Sequence, residues 1–593
     1  PEYAGLIDPI VISASNKNDT QQPIERQVNA VVNKAMNLAK LKHANHKDIK
    51  TAILFYNYPP GEKNLGASFL NVPRSLETLL ADYKARGYDV KTLSEQELID
   101  ELTSLLAPFY RPEKLADLIK QGKAGKLSMQ EYKAWFNALP KAVQERINAR
   151  WGTPEQASLK VANQDYFAIP ALKLGKQVIM PQPPRSEHEA DQEKQLYHDT
   201  KTPPSHSYLA TYLWLKQELN VDALVHFGTH GSQEWQPGKE RGLDMLDDPM
   251  LTIGDIPVIY PYIVDNIGEA LQTKRRGRAV TVSHNTPAFG PAGLHTELTH
   301  LHELLHQWLH ITEGEVRNQT EMSIKAKAAE LNLDKDLGLD LANSEVTKHF
   351  AEIVEQLHIH LHDIALANQP LGLARFGVPS DSDLRLFTVQ QMLGNDLLEA
   401  FYHSRNDWPA SIDEPKDLIA MDYEHFKEGE LWHWLDAHVR GNQAEKNPTL
   451  QPLVEQGKHF WNLLTNNQEL NGFFTALEGR YVPTSYGGDP IKNPDSLPTG
   501  RNLYGFDPSR IPTPEAWEAG KKAAAQLLEQ HKEQNGVYPT KLAFTLWSVE
   551  TMRHLGMLEA QAFALMGYKP VWGQGSRITG IEKIPASELG RPR

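Results

Sequence analysis

Residues 221–244 read VDALVHFGTHGSQEWQPGKERGLD, and the fold turns on where the apolar run in this stretch stops. Ala223, Leu224 and Val225 form the end of a buried strand. The chain then breaks at Gly228 and Gly231 and closes at Pro237 and Gly238. His226, His230 and Glu234 lie four residues apart along this stretch, a spacing that on a helix would put them on one face. The glycines, Thr229 and Pro237 oppose a helix. The three are therefore expected at a strand-to-loop edge, where open α/β sheets hold their ligands. Two imidazoles and a carboxylate, with Lys239 and Arg241 behind them, can bind a divalent transition ion. They can also move protons near neutral pH. The plainer alternative is a polar loop whose histidines hydrogen-bond the backbone.

On either side of this stretch the chain alternates strands and helices. Upstream, Pro203–Trp214 (PPSHSYLATYLW) starts a helix at about Ser207. His206 sits beside its start, where free backbone N–H groups favour an anionic partner; it either faces the site or caps the helix. Downstream, GDIPVIYPYIVDN reads as strand and turn, and GEALQTKRRGRAVTVSHNTP as a helix and a strand ending at His284. The basic run Lys274–Arg278, with Arg275 and Arg276, either meets substrate carboxylates or is a solvated helix end. Nearer the start, Thr51–Tyr56 is a buried strand followed by a helix over Val72–Arg86, and strand signal returns in DYFAIPALKLGKQVIMPQPP. Pro181–Pro204 is a long loop, and a strand is expected over Lys541–Trp547. This alternation predicts an α/β, multi-domain protein with mostly parallel sheets and large helical insertions. The expected segments are an α/β domain at 1–92, a helical insertion at 93–165, an α/β core at 166–295, a mainly helical region at 296–470 and an α/β part at 471–593.

A chain of 593 residues is too long for one core. Its net charge of −14 argues against nucleic acid as the main ligand. The absence of cysteine excludes thiolate sites and fits a reducing compartment, so a cytoplasmic location is expected. No apolar run is long enough to span a bilayer. There is no P-loop and no G-x-G-x-x-G, so any ATP is expected to be handled by other proteins. His302-Glu303-Leu304-Leu305-His306 matches the zincin pattern. Leu309 and Thr312 break its metzincin continuation, and Leu298, Leu301, Leu305 and Trp308 explain the helix as amphipathic. In LHIHLHDIAL the histidines alternate, which on a helix scatters them, so that stretch reads as structural.

The stretch HFGTHGSQEWQPGK, together with GDIPVIYPYIVDNIGEALQTKRRGRAV, PPSHSYLATYLW, PTGRNLYGFDPSRIP, LWSVETMRHLG and IEKIPASELGRPR, resembles the large subunit of the cobalt and magnesium chelatases. Trp235 stands where magnesium chelatases usually carry Phe, which favours the cobaltochelatase (CobN) branch. The resemblance implies a tetrapyrrole-binding subunit that inserts Co²⁺ into hydrogenobyrinic acid a,c-diamide, or Mg²⁺ into protoporphyrin IX in the magnesium branch. It also implies MgATP used by two partners, an AAA+ ATPase subunit and a subunit with a metal-ion-dependent adhesion domain. His226, His230 and Glu234 are then the expected metal-handling and proton-accepting groups. His206, Lys239, Arg241, Arg275, Arg276, Arg501, Asn502 and Tyr504 are the expected substrate contacts. Because the family continues past Gly590–Arg593, the chain reads as a fragment at both ends. A non-catalytic tetrapyrrole sensor and a zinc metallopeptidase are the remote alternatives.

Overall fold

The computed structural model describes residues 2–591 apart from 59, 162–163, 188–198, 240–241, 292–295, 312–313, 342–348, 367, 406–422, 506–509, 548–549, 552–553 and 574–575. The chain forms two compact units. One comprises Pro1–Thr286, Ala374–Pro379 and Asn466–Arg593, and the other Pro287–Leu373 and Ser380–Thr465.

The first unit is built on a six-stranded sheet. Its strands are β1 (Thr51–Phe55), β2 (Leu172–Leu174), β3 (Gln177–Pro181), β4 (Ala223–Phe227), β5 (Val258–Ile263) and β6 (Ala279–His284), in the spatial order β6-β5-β4-β1-β3-β2. All neighbours are parallel except β2, which runs antiparallel to β3. The strand from segment 1–92 is thus flanked by strands from segment 166–295, and the two segments share one sheet rather than folding as separate domains. β1 pairs on one side with β3 (Ile53 opposite Ile179) and on the other with β4 (Ile53 opposite Val225). The chain order reverses there. In parallel sheets such a switch point opens a crevice beyond the carboxyl ends of the strands.

Strand alternation sends side chains to two faces. Ala52, Leu54, Val178, Met180, Leu224, Val258 and Tyr260 pack in one apolar cluster with Leu209, Leu213 and Trp214 of the helix α3 (His206–Gln217). Ile53, Phe55, Ile179, Val225, Phe227 and Ile259 pack in a second cluster. Their partners there come from α1 (Val72–Ala85), α2 (Glu95–Tyr110) and the helix Glu469–Leu477. Each large apolar side chain sealed this way is worth about 1.5–3 kcal/mol, so both faces of the sheet are anchored. The helix α4 (Ile267–Arg275) precedes β6.

Two local expectations differ from the structure. Lys541–Trp547 is not a strand: no neighbouring strand pairs with it among the described residues, and Trp547 is 67% exposed. Within the expected helical insertion, Ala124–Ser128 is a strand paired antiparallel with Tyr166–Pro170, a contact too distant in sequence for periodicity to signal.

The second unit is mainly helical. Its core joins Leu298, Leu301, Leu305 and Trp308 to Phe350, Ile353, Leu357 and Leu361. Segment 374–379 rejoins the first unit, where Phe376 N–H donates to Ser75 Oγ (3.0 Å) and Gly377 N–H to Glu469 Oε2 (2.6 Å). No helix among the described residues is long and apolar enough to cross a membrane.

Candidate functional site

The loop after β4 lies at the switch point, and its backbone is fixed residue by residue. Gly228 (φ +92°) turns the chain out of the sheet, and a Cβ there would come within 2.6 Å of Ala67 Cβ. Thr229 Oγ1 accepts the Ile263 N–H (2.6 Å). His230 is left-handed (φ +51°), a conformation that among L side chains Asn, Asp and His adopt most readily. Ser232 N–H donates to Gln182 Oε1 beyond β3 (3.0 Å). Arg276, at the end of α4, clamps the far side of the loop, donating to the carbonyls of Glu234 (2.6 Å), Gln236 and Lys239.

His226 lies within β4, not in the loop, and its side chain is on the tyrosine-bearing face. Nε2 meets Tyr212 Oη (3.0 Å), and the ring stands edge-on to Tyr260 at 5.2 Å. Nδ1 is sealed from solvent with no hydrogen-bond partner, and burial pulls the ring down to about 3, so it is neutral at working pH. Glu234 is fully buried: Oε1 accepts from Tyr260 Oη (3.1 Å), and Oε2 has no partner. Burial outweighs the residue's own backbone N–H and the Tyr260 hydroxyl and raises the carboxyl to about 7. A carboxylate with one uncommitted oxygen and such a pKa is suited to accept a proton near neutrality.

His230 faces elsewhere. Nδ1 is 3.0 Å from Glu269 Oε2, Nε2 is 2.9 Å from Ser68 Oγ, and the ring lies edge-on to Tyr58 at 5.0 Å. Tyr262 Oη also donates to Glu269 Oε2 (3.2 Å). Nearby, burial and the Asp489 carboxylate raise Asp265 to about 6. A narrow recess of about 20 Å³, room for about one water, lies between Tyr56, Asn57, Phe109, Tyr110 and Gln182, at the carboxyl ends of β1 and β3. It is far smaller than a ligand pocket.

The donors of His226, His230 and Glu234 are not among the groups of three or more that lie within 4.8 Å of one another; among the described residues the only such group is His302, His306 and His358. The structure thus does not bring the three donors of the expected metal trio together. Strand geometry buries His226 against Tyr212, the left-handed turn aims His230 at Glu269, and Glu234 sits beneath Tyr260. His206 is also sealed: Nδ1 meets Tyr132 Oη (2.8 Å) and Nε2 the Gly152 carbonyl (3.0 Å), so it ties helices together and faces no site. Burial lowers its pKa.

The remaining expected substrate contacts divide. Arg275 pairs with Glu2 (2.7 Å) and Lys239 with Asp247 (3.2 Å). Arg276 is the loop clamp. Asn502 is buried between Thr281 Oγ1 and the Gly5 carbonyl. Arg501 is half-buried with its N–H on Ser283 Oγ (3.1 Å), and Tyr504 packs on Tyr486. Arg241 lies outside the described residues. Sequence reasoning missed Glu269, Tyr260 and Ser68. Of these only Glu269 leaves a trace, as an acid in the first turn of a helix capped by Asn266. Of the alternating histidines of 357–366, His358 lies beside His302 and His306 of another helix.

The family profile described as CobN/Magnesium Chelatase matches residues 1–593. The chain is 30% identical to the aerobic cobaltochelatase subunit CobN of Sinorhizobium sp, over 96% of this chain and 48% of that protein. It is 28% identical to the chloroplastic magnesium-chelatase subunit ChlH of Oryza sativa subsp. indica, over 100% of this chain and 45% of that one. The solved catalytic subunit of cobaltochelatase from Mycobacterium tuberculosis matches with a TM-score of 0.78 at 26% identity, covering 100% of this chain and 51% of that chain. The chain spans about half the length of the relatives it matches.

Proposed function

The chain belongs to the CobN/magnesium chelatase family, and we propose that it is the tetrapyrrole-handling part of the large subunit of an ATP-dependent cobaltochelatase. In this reading it inserts Co²⁺ into hydrogenobyrinic acid a,c-diamide on the aerobic route to cobalamin, in the cytoplasm. ATP is hydrolysed by an AAA+ subunit working with a subunit that carries a metal-ion-dependent adhesion domain.

Insertion exchanges two pyrrole N–H protons for one divalent ion, so the site must accept protons and replace the ion's water. The observation that carries the reading is Glu234, whose uncommitted Oε2 and pKa of about 7 suit it to take a ring proton. His226, neutral and buried next to Tyr260, keeps that pocket free of competing charge. His230 suits the incoming ion: Glu269 holds Nδ1, the arrangement by which a carboxylate orients a metal-binding imidazole, and Nε2 exchanges Ser68 Oγ for the ion. The carboxylates of Glu269 and Asp265 then supply charge at the rim. Imidazole suits Co²⁺ better than Mg²⁺, which favours cobalt; the CobN and magnesium-chelatase relatives, at 28–30% identity, are equally close.

The test reconstitutes the chain with both ATPase partners, MgATP and substrate, and follows insertion by absorbance. Wild type is expected to insert Co²⁺, and Glu234→Gln to lose about 10²–10⁴-fold in rate while still binding the ring. Full turnover by that variant would end its assignment as base. Insertion of Mg²⁺ into protoporphyrin IX with no cobalt product would replace this reading with the magnesium branch. Ring binding without insertion of either ion would leave a sensor.

A further inference from the structure

We propose that His302, His306 and His358 form a binding site for one borderline divalent transition ion, Zn²⁺ or Co²⁺, inside the helical unit. His302 and His306 are one turn apart on the helix Thr296–His310 and share a face. His358 reaches them from the helix Phe350–Leu366. The Nε2 atoms of His302 and His306 are 3.2 Å apart, as are those of His306 and His358. One ligand atom from each of the three lies within 4.8 Å of the others.

With Zn–N bonds of about 2.0–2.1 Å, two nitrogens on a tetrahedral ion are about 3.3 Å apart. Two of the three spacings are already close to that value and the third lies within 4.8 Å, so loading the site asks for side-chain adjustments rather than a rearrangement. The supports are rigid. Each histidine directly follows a fully buried leucine of one apolar core: Leu301, Leu305 and Leu357. That register puts all three rings at the edge of the seam, half-buried, where an ion can reach them without their being free to splay.

The donor set also fixes the class of ion. Glu303 is exposed and lies outside the cluster, which among the described residues contains imidazoles only. Mg²⁺ and Ca²⁺ demand oxygen ligands, whereas imidazole suits Zn²⁺, Ni²⁺ and their neighbours. Three protein ligands leave a fourth position for water or another donor. The site is independent of the chelatase reading, since none of its residues belongs to the switch-point loop.

The experiment titrates the chelator-stripped 593-residue chain with Zn²⁺ and separately with Co²⁺, by calorimetry and visible absorption. The expected result is one ion bound through this cluster, a Co²⁺ form with the strong absorption of tetrahedral coordination, and no competition from excess Mg²⁺. His302→Asn and His358→Asn should each weaken binding at least tenfold and abolish that absorption, while His360→Asn and Glu303→Gln leave both unchanged. The thermal shift that Zn²⁺ gives the wild type should vanish in the two cluster variants; if one of them does not fold, the other decides. Unaltered affinity and absorption in a folded cluster variant, or no Zn²⁺ uptake by wild type, would overturn the site.

Discussion

At Glu234 the cost of burying a charge exceeds what its own backbone N–H and the Tyr260 hydroxyl return, and this has a consequence for stability. The folded carboxyl has a pKa of about 7 against 4.5 for the ordinary value. Between those values the native state holds more protons than the unfolded chain, so stability falls as pH rises through that window and levels off above it. The loss at pH 8 relative to pH 4 is on the order of 3 kcal/mol. Glutamine keeps the Tyr260 contact without a charge. The unfolding free energy of Glu234→Gln, measured by denaturant at both pH values, should therefore decline less than that of wild type by about this amount. Glu469, also raised to about 7, contributes in the same direction and remains in both proteins. At His230 the left-handed backbone matters as much as the ring. His230→Asn keeps an αL-tolerant residue and His230→Ala does not, so the alanine variant should melt lower while both lose Co²⁺ insertion. Equal melting temperatures would show that the turn bears no strain. The identity of these residues was legible in the motif, whereas their partners were not: His230 meets Glu269 across 39 positions, a distance no local spacing encodes.

The loop after β4 acts as an element only because neighbours hold its backbone. A Cβ at Gly231 would lie 2.1 Å from Tyr260 Oη and 3.3 Å from Gln182 Oε1. Gly231→Ala should therefore push Tyr260 off Glu234, costing about 1–3 kcal/mol and insertion activity, with Co²⁺ titration of the helical unit unaffected. Arg276→Ala would strand the carbonyls of Glu234, Gln236 and Lys239 in a buried place. A loss of about 3 kcal/mol or more is expected, read as a lower thermal midpoint and faster proteolysis between Trp235 and Asp247. Periodicity located β1, β4, β5, β6 and α1 because each buries a continuous or regularly spaced apolar face. It failed at Lys541–Trp547, whose apolar residues find no sheet to join. Nor could the basic run 274–278, read as either a substrate contact or a solvated helix end, show that the Arg276 guanidinium donates to three backbone carbonyls.

For the whole molecule, composition and motif absence limit the chemistry more than they identify it. With no phosphate-binding signature in its sequence, the chain alone should show no ATP turnover. Hydrolysis above background in the purified chain, unchanged by omitting the partners, would contradict the division of labour proposed above. The alternation of strands and helices announced an α/β protein, but linear segments could not announce that 1–92 and 166–295 share a sheet, nor that 374–379 returns from the helical unit to pack under Ser75 and Glu469. Those are properties of topology, set by pairings remote in sequence. Similarly, His358 becomes a neighbour of His306 only once two helices pack.

The placement of β1 also bears on how the chain is born. Thr51–Phe55 is the middle rung of the sheet, and its companions on both sides come much later in the chain. During synthesis it waits with both edges bare until Pro181 has left the ribosome, and with one bare until Phe227 has, a state in which unpaired backbone invites sticking to other chains. Nascent molecules should therefore depend on chaperone shielding until β4 docks, and slow folding is the expected cost of placing the loop after β4 between distant rungs.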